Sequence, residues 1–178
     1  MKIQSLFYIS ISVILALVFI IPFLYITKYT FLSADDICRA PASFHNYFIN
    51  VFNWYINHNG RFTNAILSYL PVYNLQIYRW VLGCSIMLLG ITIFYFIKKV
   101  FEFFNFEESI YKTIFITLIF YITIISQIPS VNQFFYWYAG TTAYLYSIIL
   151  FILFLIIKKP HLKAMLIWFF MIESSNWI

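Results

Sequence analysis

Apolar positions fall in long unbroken runs separated by short polar or Pro-containing breaks, and the runs are close to the length of a membrane-crossing helix. Leu6 to Ile26 forms the first, followed by 77–97, 110–128 and 138–157, with a fifth beginning near Leu162 and continuing to Ile178. A hydrocarbon core of about 30 Å needs roughly 20 apolar residues in helical form, so these runs predict an all-α, polytopic bundle of four to five spans. A β-barrel would instead show short segments alternating in polarity. Pro22 lies near the far end of the first run and predicts a mild kink there. Between the first two spans lies a long segment, 28–76. Within it Phe44, Tyr47, Phe48, Val51, Phe52 and Tyr55 follow the i, i+3, i+4, i+7 spacing of one helical face, with Asn and His residues elsewhere. That pattern predicts a helix lying in the membrane interface, ended by Asn57-His58-Asn59-Gly60. A second short helix is expected from Arg61 to Leu70.

Composition strengthens this picture. Hydrophobic residues make up 63% of the chain and charged residues 10%, too few for the exterior of a soluble domain. Lysines cluster after the second span (Lys98, Lys99, Lys112) and after the fourth (Lys158, Lys159, Lys163), whereas Pro129 to Thr142 carries no charge. The positive-inside rule then places the amino terminus and both lysine clusters in the cytoplasm, with the 28–76 loop outside the cytoplasmic membrane. The first run is longer than a signal-peptide core and no small-residue cleavage site follows, so it reads as a retained anchor. The fifth run reaches only about 26 Å, which suits a truncated last span. The net charge of +5 is accounted for by the lysine clusters and requires no nucleic-acid partner.

Only six residues are acidic, and two of them, Asp35 and Asp36, are adjacent just past the first span. A carboxylate there could serve as general base, taking a proton from an acceptor hydroxyl as its oxygen attacks. The pair could also hold Mg²⁺ or Mn²⁺ through oxygen ligands. Taken alone, the pair within Ser33-Ala34-Asp35-Asp36 reads more readily as a solvated, capping turn. Arg61 is a candidate for bidentate phosphate binding, Arg39 a weaker one, and each could instead anchor to lipid headgroups. Aromatic side chains suited to stacking on sugar faces are Trp54, Trp137, Tyr138 and Tyr144, with Gly60 and Gly140 permitting close backbone approach. An interfacial aromatic belt explains the same residues. Glu173, near mid-membrane in the fifth span, is a candidate polar site unless that segment is not inserted. His45, His58 and His161 lack metal-ligand spacing, and Cys38 and Cys84 do not suggest a disulfide.

Three elements together carry a resemblance: Asp35-Asp36-Ile37-Cys38, then Gly60-Arg61-Phe62, then Trp137 with Gly140 and Tyr144. Their order and spacing resemble a family of bacterial multi-pass proteins of unknown function that look like glycosyltransferases of the GT-C superfamily. The similarity covers nearly all of the chain. The bacteriophage-type glucosyl transferases that modify O-antigen also place paired aspartates and Gly-Arg in the first outer loop. The resemblance implies a polyprenyl-phosphate sugar donor, an extracytoplasmic acceptor and inverting transfer, with Asp35 or Asp36 as base or metal ligand and Arg61 on the donor phosphate. Such families carry further spans, so the resemblance covers an amino-terminal part and implies a fragment. A non-enzymatic transport or assembly subunit, working with membrane partner subunits, is the competing class, and an inactive remnant is a third.

Overall fold

The computed structural model describes residues 2–31, 47–59, 66, 74–106 and 109–157. Asp35, Asp36, Arg39, Gly60, Arg61 and Glu173 lie outside the described residues, as do the fifth span and all but Ile66 of the expected 61–70 helix. The described residues are predominantly helical, with no strand among them.

The first element is a continuous rod. It comprises α1 (Lys2–Leu15), a wide π turn (Ala16–Ile20), α2 (Ile21–Ile26) and a closing 3₁₀ turn (Thr27–Tyr29). Pro22 explains the π turn. It has no N–H for the carbonyl of Val18, and its ring would press on that carbonyl in a regular helix. The chain widens instead, and the Ile21 N–H bonds to the Ala16 carbonyl five residues back. The expected kink is thus accommodated as a wide turn.

In the 28–76 segment, α3 (Tyr47–Trp54) runs into a second π turn (Tyr55–Asn59), so the helix widens at Asn57 rather than ending there. Its expected single apolar face is divided. Tyr47 and Val51 are buried and pack with Tyr55 against Ile66, and the Tyr47 hydroxyl donates to the Ile66 carbonyl at 2.7 Å. Phe48 and Phe52, one position further round, are exposed at 81% and 59%. Successive residues differ by about 100° on a helix, so a partner on one side of the apolar sector leaves the other side bare.

The central element is α4 (Leu75–Phe103), 29 residues and about 43 Å long. Asn74 caps its start, with its side-chain oxygen accepting from the Gln76 N–H at 2.8 Å. The helix runs past the expected end at Ile97 and carries Lys98 and Lys99 within it, where Lys99 pairs with Glu102. Its stop is a Schellman turn. Asn105 adopts φ 54°, the Phe106 N–H bonds to the Phe101 carbonyl at 3.1 Å, and the Phe101 and Phe106 rings meet edge to face. Asparagine tolerates the left-handed conformation that most side chains resist, which places the stop at that residue.

A six-residue connection leads back through α5 (Ile110–Ser126), and α4 packs against both α5 and the final α7 (Tyr146–Ile156) while α1 packs against α5. Short connections of this kind make sequential helices antiparallel neighbours. The buried side of α4, with Leu82, Ile86, Leu89 and Ile93 at 1% exposure or less, has the three- and four-residue spacing of a helix seam. Between α5 and α7 the backbone forms a π turn (Asn132–Tyr136), the single helical turn α6 (Tyr138–Gly140) and another π turn (Thr141–Leu145). The expected 138–157 span is therefore regular α-helix only from Tyr146. Among the described residues two helices, Gln4–Tyr29 and Leu75–Phe103, are long and apolar enough to cross a membrane, with mean hydropathies of 2.8 and 2.2.

Candidate functional site

One end of the bundle gathers the close of the first rod, the start of α4 and the 132–145 turns. Phe31 and Asn74, the described residues that flank the 32–73 segment, both lie at this end, beside the Thr30–Arg79 contact. Tyrosine hydroxyls tie the three parts together. The Tyr78 hydroxyl donates to the Tyr136 carbonyl at 2.7 Å, and the Tyr136 hydroxyl donates to the Phe23 carbonyl at 3.0 Å. Lower down, the Tyr121 hydroxyl donates to the Ile86 carbonyl at 3.3 Å, and Ser85 and Tyr146 hydroxyls lie 2.7 Å apart. Each bond satisfies a polar group that packing has removed from water, so these aromatic residues can occupy the interior. Burial pushes the Tyr136 phenol well above its ordinary pKa of 10.0, because the charged form would be desolvated.

The rod's last turn is also closed by side chains. Thr27 and Thr30 are buried, and their hydroxyls donate to the carbonyls of Leu24 and Thr27 at 2.7 Å. The carbonyl of Thr30 accepts from the Arg79 Nε at 3.0 Å. A guanidinium at a helix C-terminus is favoured by the partial negative charge there, and Lys28 lies in the same last turn. Beside these groups a groove of about 780 Å³ opens between the first rod and α4. Lys28, Gln76, Arg79 and Trp80 form its mouth. Its floor follows one face of α4 through Gly83, Cys84, Met87, Leu88 and Ile91, at helical spacing. No acidic residue among the described residues lines it. Its volume lies within the range of about 300–1,000 Å³ common for small-molecule sites.

The candidates from sequence are distributed differently. Gly140 is packed so closely that a Cβ would lie 2.0 Å from the Gln133 carbonyl oxygen and 3.1 Å from the Trp137 ring. Its small size lets two consecutive turns touch, with the Thr141 hydroxyl near the Phe134 and Trp137 carbonyls at 3.2 and 3.0 Å. Tyr138 is 2% exposed and meets the Tyr78 ring edge to face at 6.1 Å, so it serves the interior of this end. Trp137 is half-buried, Tyr144 is 54% exposed, and neither lines the groove. For Trp54 only the backbone position, at the end of α3, is described. Among the described residues no three His, Cys, Asp or Glu side chains come together as a metal site.

Lys28 and Arg79 are not singled out as a pair by the sequence, because they stand 51 positions apart. The available signal was their position, one cation at the end of the first apolar run and one at the start of the second. No known protein family, curated protein or solved structure matches the chain.

Proposed function

We propose that this chain is a multi-pass protein of the cytoplasmic membrane that acts in sugar transfer, along the lines of a GT-C glycosyltransferase. In this reading four or five helices cross the bilayer, the amino terminus is cytoplasmic and residues 28–76 lie outside. A sugar passes from a polyprenyl-phosphate donor to an extracytoplasmic acceptor. The supporting observation is a cation-mouthed, apolar-floored groove at the end of the bundle from which the Asp35-Asp36 segment departs. Asp35 is only five residues beyond Thr30, whose carbonyl is held by Arg79 at the groove mouth. A fully extended chain covers at most about 3.6 Å per residue, so Asp35 is tethered within about 18 Å of that point.

The first rod adds support for membrane embedding. Only 6% of its most apolar window is buried, whereas the core helix of a soluble protein would be largely covered. In the proposed reaction Asp35 or Asp36 takes the acceptor hydroxyl proton as the oxygen attacks the anomeric carbon. The bond from that carbon to the donor phosphate oxygen breaks, the electron pair leaves with the phosphate, and configuration inverts. Arg61 is proposed to neutralise the departing phosphate. Mg²⁺ or Mn²⁺ on the aspartates would supply further charge stabilisation.

The test uses membranes containing the full chain and a radiolabelled polyprenyl-phosphate sugar. Substitution of the essential carboxylate, Asp35→Asn or Asp36→Asn, is expected to lower transfer about 100- to 10,000-fold, the usual contribution of a general base. Transfer undiminished in both variants, or saturable solute uptake independent of lipid-linked sugar, would favour the transport or assembly class instead.

A further inference from the structure

We propose that the Pro22 break in the first rod is the docking point for the chain's own 162–178 run, with Glu173 donating a hydrogen bond to a backbone carbonyl that the break leaves without an amide. The inference rests on the membrane embedding proposed above, but not on sugar transfer or on which side of the membrane is cytoplasmic.

The Ile21 N–H bonds to the Ala16 carbonyl, and Pro22 has no N–H to give. Ile20 is the N-cap of α2, so its carbonyl takes the Leu24 N–H. Between these, the Phe23 N–H is the one amide left for three carbonyls, those of Leu17, Val18 and Phe19. Two of the three therefore have no helical donor. Leu17 stands 11 residues past Leu6, about 16 Å into a hydrocarbon core of about 30 Å, where water does not take the donor's place. Leu17, Val18 and Phe19 are all exposed, so no other described element covers this face.

Lipid tails carry no N–H or O–H. A second copy meeting this one rod to rod, level with itself, brings no donor either, because Val13 to Phe23 contains no side chain with an N–H or O–H. The fifth apolar run does supply donors. Successive crossings alternate in direction, so the first and fifth runs rise from the same side of the membrane. Glu173 stands 11 residues past Leu162, as Leu17 does past Leu6, and Asn176 follows three residues later on the same helical face. A neutral carboxyl carries one O–H and an amide carries two N–H, enough for two carbonyls at successive levels of the rod. The same contact gives a mid-membrane carboxyl the polar neighbour that such groups take.

The test uses the full chain in membranes, with Cys38 and Cys84 replaced by alanine. Val13→Cys and Phe169→Cys each lie seven residues into their runs, one turn below Leu17 and Glu173. Disulfide formation between them is followed by mass spectrometry. A cross-link within one chain is expected. With Met171→Cys in place of Phe169→Cys, about 200° further round the helix, the reaction is expected to be much slower. Glu173→Leu is expected to slow cross-linking about two- to tenfold, as for loss of one hydrogen bond, whereas Glu173→Gln, whose amide still donates, stays near the parent rate. Pro22→Ala restores an N–H and lets the rod close as a regular helix, so in that background Glu173→Leu is expected to cost nothing.

Cross-links only between chains would overturn the inference in favour of a second copy. Equal rates at 169 and 171, or no cross-link, would overturn the docking outright. Equal rates in the leucine and glutamine variants, or a leucine penalty that survives Pro22→Ala, would overturn the hydrogen bond. The cross-link without any sugar transfer would sink the proposed activity and leave this contact standing. Carboxylate-dependent transfer without the cross-link would do the reverse.

Discussion

At the residue scale, Gly140 shows how a sequence can reveal a requirement without revealing its beneficiary. A glycine amid Tyr, Trp and Thr indicates close approach, and the structure contains one. The approaching group is the chain's own Gln133 carbonyl, seven residues back, which a regular helix would hold about 10 Å away along its axis and which becomes a neighbour where the backbone passes through two π turns. Gly140→Ala is expected to destabilise the protein by about 1–3 kcal/mol, as overpacking commonly does. Gly83→Ala and Gly90→Ala, whose Cβ positions meet their nearest neighbours at 3.8 and 3.9 Å, should be neutral or gain up to about 1 kcal/mol from helix propensity. Thermal unfolding in detergent of the three variants checks the contrast. Tyr138 was legible as an interfacial aromatic but not as an interior one, because its burial depends on Tyr78, 60 positions earlier.

Elements are pinned to one another chiefly by tyrosines, and Tyr136 is the one that reaches the first rod. Tyr136→Phe should cost about 0.5–1.5 kcal/mol at neutral pH by leaving the Phe23 carbonyl without that donor. The pH dependence has a definite sign. Burial raises the folded-state pKa of Tyr136 above its ordinary value of 10.0, so the unfolded chain ionises first. The stabilisation is complete below pH 10 and falls as pH rises beyond it. Denaturation midpoints measured from about pH 8 to pH 11 should fall less for the phenylalanine variant than for the parent. The existence of the helices was legible from their apolar runs, but their limits were less so. Lysines at 98 and 99 suggested an early stop to α4, whereas a Schellman turn at Asn105 sets it two turns later. A charged side chain can reach water from a helix, so charge alone does not end one.

For the whole molecule, alternating short connections give a testable topology. A reporter active only in the cytoplasm should work when fused after Asn105, and one active only outside should work after Ser130. The opposite pattern at both sites would invert the proposed orientation. The bundle was legible because its apolar runs are long, while the groove was not, since it requires Lys28 and Arg79, 51 positions apart, to lie on facing helices. Their meeting has a consequence for how this protein can change. Arg79 grips Thr30, so the two stems of the 32–73 segment are stapled together independently of what lies between them. Doubling the length of a flexible closed loop costs only about 0.6 kcal/mol in chain entropy. That segment could be lengthened, shortened or exchanged for a foreign one while the helices beneath keep their packing, making it an interchangeable head on a fixed stem.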